Sequence, residues 1–148
     1  MHFIFQSPSK SIIEGVSSWI TAPEQKHFIF RESMIQSFQE DNFSTIEFLA
    51  QKLHIKSAGT LIATVKHNKL IPEHNLALSL DLNRKDFMEI DLNKEEAIQY
   101  LKKETISSSS YKKGFALITY ENLPLGWGNV LENRINNMYP SQWRIRMS

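Results

Sequence analysis

Two kinds of residue in this chain are equipped for chemistry, and both crowd into its last part. Arg134, Arg144 and Arg146 carry planar guanidiniums, the group that meets a phosphate with two parallel hydrogen bonds. Trp127 and Tyr139 carry flat aromatic faces on which an unpaired base can stack, for about 1–3 kcal/mol each. Gly126 and Gly128 flank Trp127, where a backbone without Cβ can take positive φ or approach a partner closely. From Gln142 to Met147 the residues alternate, with Trp143, Ile145 and Met147 on one face of an expected strand and Arg144 and Arg146 on the other. Such a strand suits a small barrel that grips an anionic polymer. It suits an ordinary strand with a solvated face equally well.

Covalent and metal chemistry have little to draw on. The absence of cysteine excludes disulfides, thiolate metal sites and thiol nucleophiles. The five histidines, His2, His27, His54, His67 and His74, do not stand in a His-x-x-x-His or carboxylate-flanked ligand spacing, so no metal site is expected. The run Ser107 to Ser110 lacks a Gly-x-Ser-x-Gly context and reads as a flexible loop. There is no glycine-rich phosphate loop of either common type. The expectation is a protein without catalytic residues of its own and without a cofactor.

Further basic pairs occur at Lys66/Lys69, Lys102/Lys103 and Lys112/Lys113, mostly at expected strand ends or loops. Lys102 and Lys103 have a simpler reading, because the C-terminus of a helix favours cations. Trp143 reads as core, since the alternation turns it inward. The net charge is only +1, so attraction to nucleic acid must come from a local patch rather than a global field. With 148 residues and 41% hydrophobic content, the chain can build one domain with a core, or a small lobe joined to a domain. No apolar run approaches the roughly 20 residues that span a bilayer. Met1 to Phe5 lacks the basic start of a secretion signal, so a cytoplasmic protein is expected.

The elements that must position these residues follow from spacing and caps. A helix is expected from about Pro8 to Ile20, with Ser7 as cap and Ile12, Val16, Trp19 and Ile20 on one face. His27 to Phe30 reads as a strand. Ser44-Thr45-Ile46-Glu47 has the form of a capping box, with Phe43 and Phe48 as a hydrophobic staple. Leu61 to Lys66 and Lys69 to Ile71 read as strands around His67-Asn68, and Pro72 opens a short helix through Leu80. Phe87 to Ile90 is an expected strand, and Asn93 caps a helix with Ala97, Ile98 and Leu101 on its buried side. Gly114 to Tyr120 and Leu123 to Leu131 form an expected hairpin across Glu121-Asn122. The pattern is α+β: a small helix-containing N-terminal α/β lobe over 1–54, then a small barrel of mixed strands with short helices over 55–148.

These residues also carry a resemblance. Lys69-x-x-Pro72-x-His74-x-Leu76-Ala77-Leu78, Ala97-x-x-Tyr100-Leu101, Leu125-Gly126-Trp127 and Arg134-x-Asn136-Asn137-x-Tyr139-Pro140-x-x-Trp143-Arg144-Ile145 occur in that order. The set resembles the C-terminal region of the Sun-family ribosomal RNA cytosine-5 methyltransferases, most densely from Lys69 to Arg146. The resemblance implies a PUA-like pseudo-barrel that binds RNA. It places Arg134, Asn136, Asn137, Tyr139 and Arg144 on or behind the RNA-facing side, with Lys69 and His74 near it. Those enzymes work through cysteine thiolates and an S-adenosylmethionine motif, and this chain has neither. It therefore looks like the accessory domain alone. Family members often carry a lysine where this chain has Asn129, and a glycine where Asn133 stands, which together with the near-neutral charge implies a weaker grip on RNA than a typical member has, or its loss.

The expected function is a non-catalytic module for structured rRNA or tRNA, held through its backbone with some base stacking. Lys69, His74, Trp127, Arg134, Asn136, Asn137, Tyr139, Arg144 and Arg146 are the candidate contacts. RNA and a separate methyltransferase domain are the expected partners, with no role at a membrane. The alternative is a protein-interaction domain that keeps the fold without RNA, with the apolar face of the first helix (Ile12, Val16, Trp19) as its docking surface.

Overall fold

The structure is a computed structural model that describes residues 5–107 and 110–146 of the chain. Expectations placed on Met1 to Ile4, on Ser108 and Ser109, and on Met147 therefore lie outside the described residues. The chain divides into two compact units, Met1–Leu82 and Asn83–Ser148.

The first unit contains α1 (Lys10–Ser17), β1 (Lys26–Arg31), β2 (Met34–Gln39), α2 (Glu40–Lys52), β3 (Thr60–Lys66), β4 (Lys69–Pro72) and α3 (His74–Ala77). Its strands form an antiparallel meander in the order β1-β2-β3-β4. Two tight turns join the hairpins, Glu32-Ser33 and His67-Asn68, and all four residues have positive φ. Paired positive φ is the signature of the hairpin turn whose twist matches the strands. Val16, Ile29, Ile35, Ile62 and Leu76 are fully buried at the centre of this unit. The loop before β1 is tied by Lys26, whose ammonium lies 2.7 Å from Asp81 with its side chain 4% exposed.

This topology moves the boundary expected between residues 54 and 55. β3 pairs with β2 and α3 packs on β3, so residues 60–77 complete the first sheet instead of opening the barrel. The helix starts differ as well. α1 runs from Lys10, with no side-chain cap from either Ser9 or Ser7. α2 continues directly from β2 at Glu40, so Ser44 lies within the helix and caps nothing. Glu40 and Asp41 fill its first turn, where carboxylates are favoured by the helix dipole. Phe48 is 59% exposed and makes no staple, while Phe43 stacks on His27 at 3.5 Å.

The second unit contains β5 (Met88–Leu92), α4 (Lys94–Leu101), β6 (Ile106–Ser107), β7 (Gly114–Tyr120), β8 (Leu123–Val130) and β9 (Arg134–Asn137). The five strands form one curled mixed sheet in the order β5-β7-β8-β9-β6. β5 and β7 are parallel, joined through α4, and the other pairs are antiparallel. α4 begins with the capping box expected at Asn93: its side chain accepts from Glu96 N at 2.9 Å, and Glu96 accepts from Asn93 N at 3.1 Å. The β7–β8 turn, Glu121-Asn122, again has positive φ at both residues. Ile90, Leu92, Ala97, Tyr100, Ile118 and Ile135 form the heart of this core. A Cβ on Gly128 would stand 2.6 Å from Ile135 Cγ2, so this glycine admits the unit's own core and not an outside partner. The fold class is α+β, as expected.

The expected terminal strand does not form. Pro140 and the turn bond from Trp143 N to Pro140 O start a short 3-10 turn, Ser141–Trp143, and break the alternation. The two residues of β6 take the sheet edge beside β9.

Candidate nucleic-acid interface

Strand register gathers cations at one end of the second sheet. Gly114 at the start of β7 pairs with Val130 at the end of β8, and Val130 pairs with Ile135. Arg134, one residue earlier, pairs with Ser107 at the end of β6. Lys112 and Lys113, immediately before β7, therefore reach the same end as Arg134, and all three are exposed. Tyr111 stands beside them, 43% exposed. Lys113 lies 3.9 Å from Glu132, but both side chains are well solvated and such a pair holds little energy.

The other end of the sheet is acidic. Glu95 and Glu96 open α4, Glu121 is in the β7–β8 turn, and Asp91 is near the end of β5. Asp91 accepts from Thr119 Oγ1 at 2.7 Å. Arg84 is held among these groups: it donates to both Glu89 oxygens at 2.8 and 2.7 Å and to Asn122 O at 3.0 Å. The hydrogen bonds between Arg84 and Glu89 raise the guanidinium and lower the carboxyl from their ordinary values. Arg84 is thus neutralised, whereas Lys112, Lys113 and Arg134 leave one sheet end positive. The small net charge conceals this separation along the strands.

A partly buried polar joint holds the C-terminal end of α4. Lys103 takes a left-handed conformation, φ 69°, and closes the helix with bonds from Lys103 N to Tyr100 O and from Glu104 N to Gln99 O. Its ammonium donates to Asn137 O at 2.7 Å and Tyr139 O at 2.6 Å, and burial lowers its pKa. Asn137 Nδ2 donates to Tyr100 O at 2.7 Å and Glu104 O at 2.9 Å, and its Oδ1 accepts from Tyr139 N at 2.9 Å. Tyr100 is fully buried and donates its hydroxyl to Trp127 O at 2.9 Å. Burial first, then Tyr139, raises the phenol far above its ordinary range. The tail is pinned to this joint by the bond from Ile145 N to Leu101 O, 2.9 Å.

The candidate residues divide accordingly. Arg134 and Asn136 are exposed on β9, and Arg144 and Arg146 are exposed on the tail. Lys69 is exposed but belongs to the first unit, at the β3–β4 turn. Trp127 and His74 are corrected because they are buried, while Asn137 and Tyr139 are half-buried and held in the fold. Trp127 is 1% exposed and packs on Phe87 with ring centres 4.6 Å apart, so no base can stack on it. Asn137 has its amide committed to main-chain groups, and Tyr139 packs edge-on against Tyr100 at 5.5 Å. His74 is buried in the first unit, and that burial lowers its pKa despite the opposing pull of Glu73.

Trp143, expected to be core, is instead 53% exposed. Sequence reasoning also missed Tyr111 and the structural role of Lys103. Pro140 was the available signal for Trp143, because it interrupts the strand just before the alternating residues. Among the described residues no group of three or more His, Cys, Asp or Glu gathers as metal ligands, and no helix is long and apolar enough to cross a membrane.

This curled sheet and its ordered motifs have a known counterpart. Residues 87–145 match the family model described as the PUA domain of methyltransferase RsmF. The second unit is a PUA-like domain of the Sun-family methyltransferases. The match covers this accessory domain, and no catalytic methyltransferase domain is detected. Among curated proteins, none matches the chain.

Proposed function

We propose that the second unit is a non-catalytic RNA-binding module that holds structured ribosomal or transfer RNA by its backbone. PUA domains as a kind bind RNA. The observation that carries the reading is the meeting of Lys112, Lys113 and Arg134 at one end of the sheet in such a domain. Phosphate contacts of this sort give affinity and set orientation, while discrimination comes from RNA shape and unpaired bases. Arg144, Arg146 and Asn136 extend the contact. The module acts in the cytoplasm in rRNA processing, in company with a separate methyltransferase. Filter binding against small-subunit ribosomal RNA fragments at low salt is the test. Affinity above background, abolished in Arg134→Glu/Arg144→Glu, is the expected result. Background binding by the unaltered protein would refute the reading.

A protein-interaction role has one observation in its favour, and it lies on a different helix from the one expected. In α1, Val16 is fully buried, whereas α2 exposes Phe48 and Leu49, and Leu53 just past its end is exposed as well. A stable protein complex isolated without nucleic acid, and abolished in Phe48→Ser/Leu53→Ser, would favour this second reading.

A further inference from the structure

We propose that α2 is a docking face for a second copy of this chain, the two helices packing antiparallel about a two-fold axis. The proposal concerns the first unit, stands whether or not the second unit binds RNA, and gives the outward face of α2 its partner.

α2 is apolar on two opposite sides. Ala50 is buried and Phe43 and Ile46 are half-buried on the side that packs against β1 and β2, where Phe43 meets His27 and Phe38. By helical spacing, Asp41, Thr45, Phe48 and Lys52 form a stripe on the far side with Leu49 at its edge, and all five are exposed. Phe48 is 59% exposed and Leu49 38%. An outward helix face that carries such residues has surface left for a partner.

The order of the stripe says which partner. The spacing of Asp41, Thr45, Phe48 and Lys52 is that of the seam of a helix pair, and it is the same read backwards. An antiparallel copy that sets its Lys52 opposite Asp41 also sets its Thr45 opposite Phe48, and the two Phe48 rings meet beside the axis. The two-fold then makes the carboxylate–ammonium contact twice, with the helix dipoles running in opposite senses. Neither Asp41 nor Lys52 makes an ion pair among the described residues. A parallel pair would place like charges together, and an RNA would meet the carboxylates of Asp41 and Glu47. A second copy carries the matching order by construction. The seam of a 13-residue helix, about 20 Å long, is smaller than a permanent dimer needs, so the association is reversible.

Sedimentation equilibrium of the full chain over a rising concentration series should show monomer and dimer in exchange. Phe48→Ser should weaken the dimer roughly tenfold or more and leave the thermal melt of the monomer unchanged, because the ring is exposed. Asp41→Lys and Lys52→Asp should each weaken self-association roughly tenfold at low salt, since like charges then face each other at both ends of the seam. An equimolar mixture of these two variants should dimerise again, because each end of the mixed pair regains opposite charges. A chain that stays monomeric at every concentration overturns the proposal. A dimer indifferent to Phe48→Ser, or a mixture no more associated than the two variants apart, overturns it as well.

Discussion

The two units put similar cations at a sheet end, yet they are built differently. In the first, Arg31 sits beside the β1–β2 turn while Lys66 and Lys69 flank the β3–β4 turn of a plain antiparallel meander. In the second, Lys112, Lys113 and Arg134 stand at strand starts of a mixed sheet whose opposite end is acidic. Of the two, it is the second unit that matches a kind of domain that binds RNA. Charge by itself therefore does not distinguish a binding face from a solvated one. On the proposed function, the distinction rests on charge carried by a domain of that kind.

The comparison breaks most visibly through the core. Trp127→Ala should destabilise the second unit by about 3–5 kcal/mol, as expected for removing a buried indole. Urea unfolding followed by residue-resolved NMR should show the second unit's signals collapsing first; unchanged stability would mean Trp127 is not the core residue described. A smaller effect is expected at the joint. Asn137→Ala removes the bonds of the amide with Tyr100 O, Glu104 O and Tyr139 N and should cost about 1–3 kcal/mol. Hydrogen exchange at the end of α4 is the readout, and unaltered protection there would contradict the joint.

The first unit should respond to acid through His74. Burial lowers its folded pKa below 6.5, so the unfolded chain takes up a proton that the folded one resists. Its contribution is complete above the ordinary histidine value and is lost as pH falls below it, at up to about 1.4 kcal/mol per pH unit. Thermal melts between pH 7 and 5 should show this slope in the unaltered protein and a flatter one in His74→Gln. Equal slopes would mean that His74 contributes nothing to the acid response.

Much of the second unit was legible in the sequence because its local signals agree with its tertiary structure. Asn93 and Glu96 cap α4 as their spacing indicates, and the strands around Glu121-Asn122 form the expected hairpin. β2 was not legible: its polar residues Gln36, Ser37 and Gln39 obscure the strand pattern, and Glu32-Ser33 lacks the Asn or Gly that usually marks such a turn. That gap also moved the unit boundary, since β3 needs β2 as its partner. The two tryptophans exchanged roles for a definite reason. Gly128 makes room for Ile118 and Ile135 on one face of β8, while Trp127 packs against Phe87. Pro140 and the β6 edge strand together leave Trp143 outside any sheet. Arg134 was legible as an exposed cation, but its meeting with Lys112 and Lys113 depends on register, which spacing alone does not reveal.

The most direct test is the salt dependence of RNA binding, measured for the unaltered protein, for Lys112→Glu/Lys113→Glu/Arg134→Glu and for Lys66→Glu/Lys69→Glu. The slope of log affinity against log salt should shrink by about 0.7–0.9 for each phosphate that the first variant no longer neutralises, and stay nearly unchanged in the second. A slope that shrank equally in both variants, or only in the second, would contradict the placement of the RNA-binding face on the second unit.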